Sequence, residues 1–266
     1  MKKITSRQNP LIKYILQLQE KSNIRKKEQK FVIEGIHELS IALSSGYKLD
    51  KILFNPQILP LTKLNKILSN YNFNGQIIEL NNSVYSKIAY REKTEGIIGI
   101  ANWKTHTLNY IKLSNVPILL IAENIEKPGN IGAMIRTVDA AGIDAFIIAN
   151  PITDIYNPNI IRSSVGGIFS TQIAISTTQK IIEWLRNKNI TLYTATLQNS
   201  FPYYKINFRE PVAIAVGNEA KGIDKSFRKA AKKNIIIPMH GKLDSLNVSI
   251  SAAIIIFEAI RQRKLQ

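Results

Sequence analysis

The sequence predicts a two-domain α/β protein. Three observations carry that reading. Short Ile- and Val-rich runs recur through the chain, segments of helical periodicity lie between them, and a polar stretch at 102–117 interrupts the alternation. The chain has 266 residues, enough for one large domain or two modest ones, and 45% are hydrophobic. That content is ordinary for a packed protein and sets the chain apart from disordered ones.

In residues 1–101, Asn9-Pro10 reads as a helix cap followed by proline at the first helical position. Leu11, Tyr14, Ile15 and Leu18 then recur at helical spacing. Strands are expected at 31–33, 52–54, 76–80 and 96–101. Helices are expected over 36–43, ended by Gly46, and around 61–68 and 83–89. This is the pattern of a small layered domain. Residues 102–117 hold few periodic apolar positions and read as a linker with room for one short element.

Residues 118–266 give the stronger signal. Runs at 118–122, 145–149, 172–175, 191–195, 212–216 and 235–237 are short and mostly Ile- and Val-rich, as strands covered on both faces should be, so a mostly parallel sheet is expected. Helices are expected over 131–142, 158–169, 178–187 and 225–233. A final helix should start near Ser245, with Asp244 or Ser245 as cap. Arg261, Arg263 and Lys264 fall at its end, where cations suit the helix dipole.

Composition narrows the function. With 36 Lys+Arg against 19 Asp+Glu, the net charge is +17. The excess is shared: 16 basic against 8 acidic residues in 1–101, and 20 against 11 in 102–266. Such a field concentrates polyanions, and nucleic acid is the first candidate; a Lys-biased composition serving solubility is the plain alternative. The densest cluster, Lys21 to Lys30 with Lys26 and Lys27, can equally be a solvated helix face. The absence of cysteine excludes disulfides, thiolate metal sites and a Cys nucleophile. No apolar stretch approaches the ~20 residues of a membrane span, so a soluble, cytoplasmic protein is expected. His37, His106 and His240 lack ligand spacing, so no metal is expected.

Three segments stand where strands give way to loops. The first is Lys127-Pro128-Gly129-Asn130-Ile131-Gly132, continuing to Arg136, with Asn130 as a helix-cap candidate. The second is Gly217-Asn218-Glu219-Ala220-Lys221-Gly222. The third is Ile237-Pro238-Met239-His240-Gly241, continuing to Ser245-Leu246-Asn247-Val248-Ser249. Each alone passes as turn chemistry. The first lacks the third glycine of a dinucleotide-binding turn.

Taken in order, N-x-G-x-x-x-R, G-N-E-x-x-G and I-P-M-x-G-x-x-x-S-L-N-V-S resemble the SpoU (TrmH-type) family of RNA ribose 2′-O-methyltransferases, in the SPOUT superfamily. The likeness runs over about 118–262, and Arg162-Ser163-Ser164-Val165-Gly166 resembles a further family segment. Residues 1–101 resemble the smaller, ribosomal-protein-like RNA-binding domain of many members.

The resemblance implies a deep trefoil knot over about 212–262, S-adenosylmethionine as cofactor, RNA as partner and a homodimer formed through the knotted domain. It implies catalytic roles for Asn130, Arg136, Glu219, Ser245 and Asn247. It implies cofactor contacts from Thr196, Leu197, Gly217, Asn218, Ile237, Met239 and Leu246, and RNA contacts from Arg162, Lys26 and Lys27. Gly217 would be free of a side chain to admit the adenosine, and Arg136 would stabilise the nascent alkoxide. Ile250, Ile254 and Phe257 of the last helix would join the dimer interface or pack on their own sheet. Tyr85, Tyr90 and Phe73 are candidates for base stacking, with burial in the core as the commoner fate of such aromatics. Ribosomal RNA is the favoured substrate, transfer RNA the second, and a non-catalytic RNA-binding or ribosome-assembly factor the third reading.

Overall fold

The computed structural model of the chain describes residues 1–90 and 94–264. Two compact units result, one built from Met1–Thr105 with Asp154–Ser170, the other from His106–Thr153 and the chain from Thr171 on.

The first unit runs β1 (Lys2–Ile4), α1 (Pro10–Glu20), α2 (Ser22–Glu28), β2 (Lys30–Glu34), α3 (Ile36–Ser44), β3 (Leu49–Phe54), α4 (Leu61–Leu68), β4 (Gln76–Leu80), α5 (Asn82–Ile88) and β5 (Ile97–Asn102). Asn9 caps α1 as expected: its Oδ1 accepts from the Leu11 N–H at 2.9 Å. The sheet order is β1-β4-β3-β5-β2, with β5 antiparallel to both its neighbours. Ile12, Ile15 and Leu18 of α1 pack with Ile78, Val84 and Tyr85 in its core. Tyr85 is fully buried, which removes it from the base-stacking candidates. Strand β1 has no counterpart in the sequence reading, whereas α2 is the helix that the Lys26 and Lys27 cluster allowed for.

The second unit begins with β6 (Ile118–Glu123), α6 (Pro128–Ala141) and β7 (Ala145–Ala149). The chain then returns to the first unit for α7 (Pro158–Ser163) and α8 (Gly167–Ser170). Residues 154–170, read from the sequence as part of the carboxy-terminal domain, thus pack in the first unit. Tyr156 stacks on Phe31 with ring centroids 4.0 Å apart, and Asp154 pairs with Arg25 at 2.7 Å. The expected helix over 158–169 is broken, because Val165 and Gly166 take left-handed φ values of 52° and 82°.

The second unit resumes with β8 (Ile173–Ser176), α9 (Thr178–Asn187), β9 (Thr191–Ala195), β10 (Ser200–Pro202), β11 (Val212–Val216), α10 (Lys225–Ala230), β12 (Lys233–Ile236) and α11 (Val248–Lys264). Its sheet has the order β10-β12-β9-β11-β6-β7-β8, and every neighbouring pair is parallel. All residues of β6, β7 and β11 are buried. That matches the continuous apolar runs and the expected doubly covered sheet. Leu119, Ile121, Ala213 and Ala215 face a core shared with Ile181, Leu185 and Phe227 of α9 and α10. Helices α6 and α11 pack together, and α11 also covers β6 and β11. A 3₁₀ turn at Leu108–Tyr110 is the short element within the 102–117 stretch.

Two helix starts differ from the sequence reading. Helix α6 begins at Pro128, so Asn130 lies inside its first turn instead of capping it. Proline at the first position tolerates the start without a side-chain cap. Helix α11 begins at Val248, and its cap is Asn247: Asn247 Oδ1 accepts from the Ser249 N–H at 2.9 Å. Ser245 lies upstream, its hydroxyl 3.2 Å from Asp244 Oδ1.

Candidate active site

Strand order places the site. Successive strands β6, β7 and β8 step one way from β6, while β11 lies on its other side. The carboxyl ends of β6 and β11 therefore flank a point where connections diverge, the usual ligand crevice of an open parallel sheet. Val216 is in register with Ala122, so the loops after the two strands start side by side. One loop carries the Lys127–Arg136 motif and the other the Gly217–Gly222 motif.

Buried polar groups pin those loops. Glu123, fully buried at the end of β6, accepts from Thr178 Oγ1 at 2.5 Å and from the Asp224 N–H at 2.7 Å. Asn218 donates from Nδ2 to the Asn124 carbonyl at 3.0 Å and to Glu126 Oε1 at 3.1 Å. Its Oδ1 accepts from the N–H groups of Ala220 and Lys221. The second loop is thus tied to the first at both ends. The sequence reading missed Glu123 and Glu126; the one signal was an acid closing the apolar run Ile118-Leu119-Leu120-Ile121-Ala122.

Gly217 has a reason that the sequence reading did not supply. A Cβ there would lie 2.5 Å from the carbonyl carbon and oxygen of Gly222. The glycine is required by the turn's own backbone, which crosses at the Asn218–Gly222 bridge, whatever the cavity holds.

The three motifs meet at Asn130. Its Nδ2 donates to Glu219 Oε1, and its Oδ1 accepts from Asn247 Nδ2 at 3.1 Å. Both ends of one amide, 9% exposed, are therefore engaged by different segments of chain. Lys127 Nζ lies 3.6 Å from Glu219 Oε2 on the exposed side. Ser245 sits outside this network, and Arg136 is exposed on α6.

A cavity of about 510 Å³ opens beside the network, within the usual range of small-molecule sites. Thr196 and Leu197, from the end of β9, line it together with Gly217 and Asn218. Ile237, Met239 and Leu246 line it from the third motif, as do Glu219 and Ser245. All seven residues expected to contact a cofactor thus share one cavity. Ile237 follows the end of β12 and is half-buried, so it belongs to the wall and not to the strand's core. The apolar residues Val216, Ile223, Ile237 and Ile255 line the same space as the polar residues Thr196, Asn218 and Ser245. That suits an adenosine joined to an amino-acid tail. Asn130, Arg136 and Asn247 do not line it.

The expected RNA contacts are scattered. Lys26 and Lys27 are exposed on α2, while Arg25 beside them is buried. Arg162 is exposed at the end of α7 in the first unit. Among the described residues, no group of three or more His, Asp or Glu could hold a metal, and no helix is long and apolar enough to cross a membrane.

Known proteins similar to the chain identify its family. The model of the SpoU rRNA methylase family matches residues 117–257, and that of the MRM3-like substrate binding domain matches residues 9–99. The Bacillus subtilis 23S rRNA (guanosine(2553)-2′-O)-methyltransferase RlmP is 30% identical over 97% of this chain and 98% of its own length. A 23S rRNA (uridine(2479)-2′-O)-methyltransferase of Streptomyces viridochromogenes is 25% identical over 91% of this chain and 86% of its own length. The crystal structure of an rRNA methyltransferase from Sinorhizobium meliloti with AdoMet bound superposes with a TM-score of 0.89 at 29% identity, covering 100% of this chain and 99% of that one. By the motifs, the parallel sheet and these matches, the chain belongs to the SpoU rRNA methylase family.

Proposed function

We propose that this protein transfers a methyl group from S-adenosylmethionine to a ribose 2′-hydroxyl of ribosomal RNA. The observation that carries the reading is the convergence of three motifs on Asn130 beside a cavity lined by all the expected cofactor contacts. Two relatives are named as 23S rRNA 2′-O-methyltransferases, one for a guanosine and one for a uridine, which favours ribosomal over transfer RNA.

Thr196, Leu197, Gly217, Ile237, Met239 and Leu246 would hold the cofactor, the apolar groups against adenine and the loop peptides against polar edges. Bound there, S-adenosylmethionine supplies a methyl group already activated by its sulfonium. The chain's own task is to align and activate a weakly acidic alcohol. Asn130 is held at both amide ends, so it offers a fixed reference for the acceptor ribose, and Glu219 and Asn247 keep it there. Ser245 lies at the cavity edge, where it can reach the acceptor nucleotide. Arg136 provides the cation that favours the alkoxide. Guanidinium stays protonated in proteins, so the proton leaves to a substrate phosphate or water.

Arg136 is exposed and lies off its own chain's cavity. Helix α6, which carries it, packs on α11, and α11 presents Ile250 and Phe257 at 51% and 49% exposure. Both features support a homodimer through the second unit, with a site completed on assembly. Lys26, Lys27 and Arg162 would bind RNA phosphates. The connection through 212–262 is read as the family's trefoil knot, and the protein as acting in the cytoplasm. The test is transfer of label from radiolabelled S-adenosylmethionine to rRNA and tRNA in parallel. Label in rRNA is expected; label confined to tRNA moves the substrate to the second class.

A further inference from the structure

A second cavity, of about 680 Å³, lies in the first unit, lined by Lys48, Asp50, Tyr71, Asn72, Phe73 and Asn74 among others. Four of these come from the connection between α4 and β4, where amides and rings alternate as Asn70-Tyr71-Asn72-Phe73-Asn74. Tyr71 and Phe73 are half-buried, whereas Asn72 and Asn74 are exposed. The amides therefore stand outward beside rings that are held in place.

The ring of Phe73 is seated on backbone. A Cβ on Gly75 would meet it at 2.6 Å, so the glycine makes room for the ring to lie against the chain. The Phe73 N–H donates to the Tyr71 carbonyl at 2.9 Å, and the Tyr71 N–H to the Leu68 carbonyl at 2.9 Å, which fixes the loop. Among the described residues that line the cavity, the one carboxylate is Asp50, and it is engaged: Oδ1 accepts from Asn102 at 2.7 Å and Oδ2 from Lys30. Its charge does not repel a polyanion as a bare carboxylate would. Lys48 adds an exposed cation at the rim.

We propose that this cavity takes an unstacked RNA nucleotide, its base against Tyr71 and Phe73 and its edge read by Asn72 and Asn74. Aromatic faces suit any base, side-chain amides offer a donor and an acceptor side by side, and looped-out nucleotides are what RNA offers to such sites. The proposal rests on the RNA-methyltransferase reading for its substrate. It adds where the first unit grips that substrate and by what chemistry.

The test uses the full chain and a single-stranded RNA decamer carrying 2-aminopurine, whose fluorescence is quenched on stacking, with a duplex of equal length as comparison. The parent protein is expected to bind the single strand with quenching and to prefer it to the duplex. Phe73→Ala and Tyr71→Ala are expected to weaken binding roughly tenfold and to abolish the quench, about one aromatic–base stack. Because Phe73→Ala could disturb the loop, the Asn72→Ala/Asn74→Ala pair, which removes two exposed amides and the 3.4 Å contact from Asn74 Nδ2 to Asn72 Oδ1 but leaves the rings, is expected to weaken binding severalfold. The same variants raise KM for rRNA in methyl transfer, and their S-adenosylmethionine affinity reports on folding. Parent-like affinity and quenching in all variants, or no quenching by the parent, overturns the site. If the parent methylates rRNA while the variants bind normally, only this inference fails. If the variants lose the decamer while the parent methylates no RNA, the site stands and the methyltransferase reading fails.

Discussion

Asn247 Nδ2 lies 3.1 Å from Asn130 Oδ1, joining residues 117 positions apart in the chain. The same Asn247 caps α11 through its own Oδ1. One side chain thus sets the start of the last helix and one end of the Asn130 amide. Asn130→Asp would replace the donor facing Glu219 with a second carboxylate. It should therefore destabilise more than Asn130→Ala, by about 1–3 kcal/mol in thermal or urea melts, because like charges oppose each other and a partner is left unpaired. Equal effects of the two variants would show that the Glu219 contact contributes little.

Arg136→Ala should lower methyl transfer at saturating RNA and cofactor by about 10²-fold or more, the range for losing a donor at developing charge. S-adenosylmethionine affinity should change little, since Arg136 does not line the cavity. Arg136→Lys should recover only part of the rate, because an ammonium lacks the planar fork. Single-turnover rates and cofactor titrations check both statements.

Gly217→Ala should damage the second loop even without cofactor. A methyl 2.5 Å from the Gly222 carbonyl forces the backbone to shift. A loss of roughly 1–3 kcal/mol in stability is expected, with S-adenosylmethionine affinity down at least tenfold. An unaltered melt with lowered affinity would return the glycine's role to the ligand alone.

The first unit holds a buried ion pair, Arg25 with Asp154, each side chain 2% exposed. Asp154→Asn or Arg25→Ala should cost about 3–5 kcal/mol, since the survivor is a buried uncompensated group. Replacing both by apolar residues should cost less than the sum. Equilibrium unfolding of the three variants measures the coupling.

Asp50 gives a pH dependence with a definite sign. Burial alone would raise its pKa, but hydrogen bonds from Lys30 and Asn102 and the Lys30 charge outweigh that and hold it below the ordinary value. Its contribution is therefore present above the unfolded-state pKa of about 4 and is lost as pH falls through the depressed folded value. The stability difference between the parent and Asp50→Asn should be constant near neutrality and shrink at acid pH. A difference that grows on acidification would contradict the pairing.

Much of this fold is legible in the sequence. Strands 145–149 and 212–216 could be read to the residue because doubly buried parallel strands are uninterrupted apolar runs bounded by polar turns. The residues that share the second unit's cavity could be grouped through motif resemblance, not through periodicity. Neither route revealed the excursion of 154–170, since the stacking of Tyr156 on Phe31 is a long-range contact with no local pattern. Asn130 looked like a cap because Pro-Gly-Asn is common turn chemistry; the helix begins at the proline instead, which frees the amide to bridge two loops. Arg25 sat unremarked in a cationic cluster, and only its packing separates it from Lys26 and Lys27.

The most direct measurement is nucleoside mass spectrometry of rRNA after incubation with the protein and S-adenosylmethionine, with Arg136→Ala in parallel. The account predicts a single 2′-O-methylated nucleoside, released by alkali as a hydrolysis-resistant dinucleotide and absent with the variant. A methyl group on a base, or ribose methylation undiminished in Arg136→Ala, would contradict it.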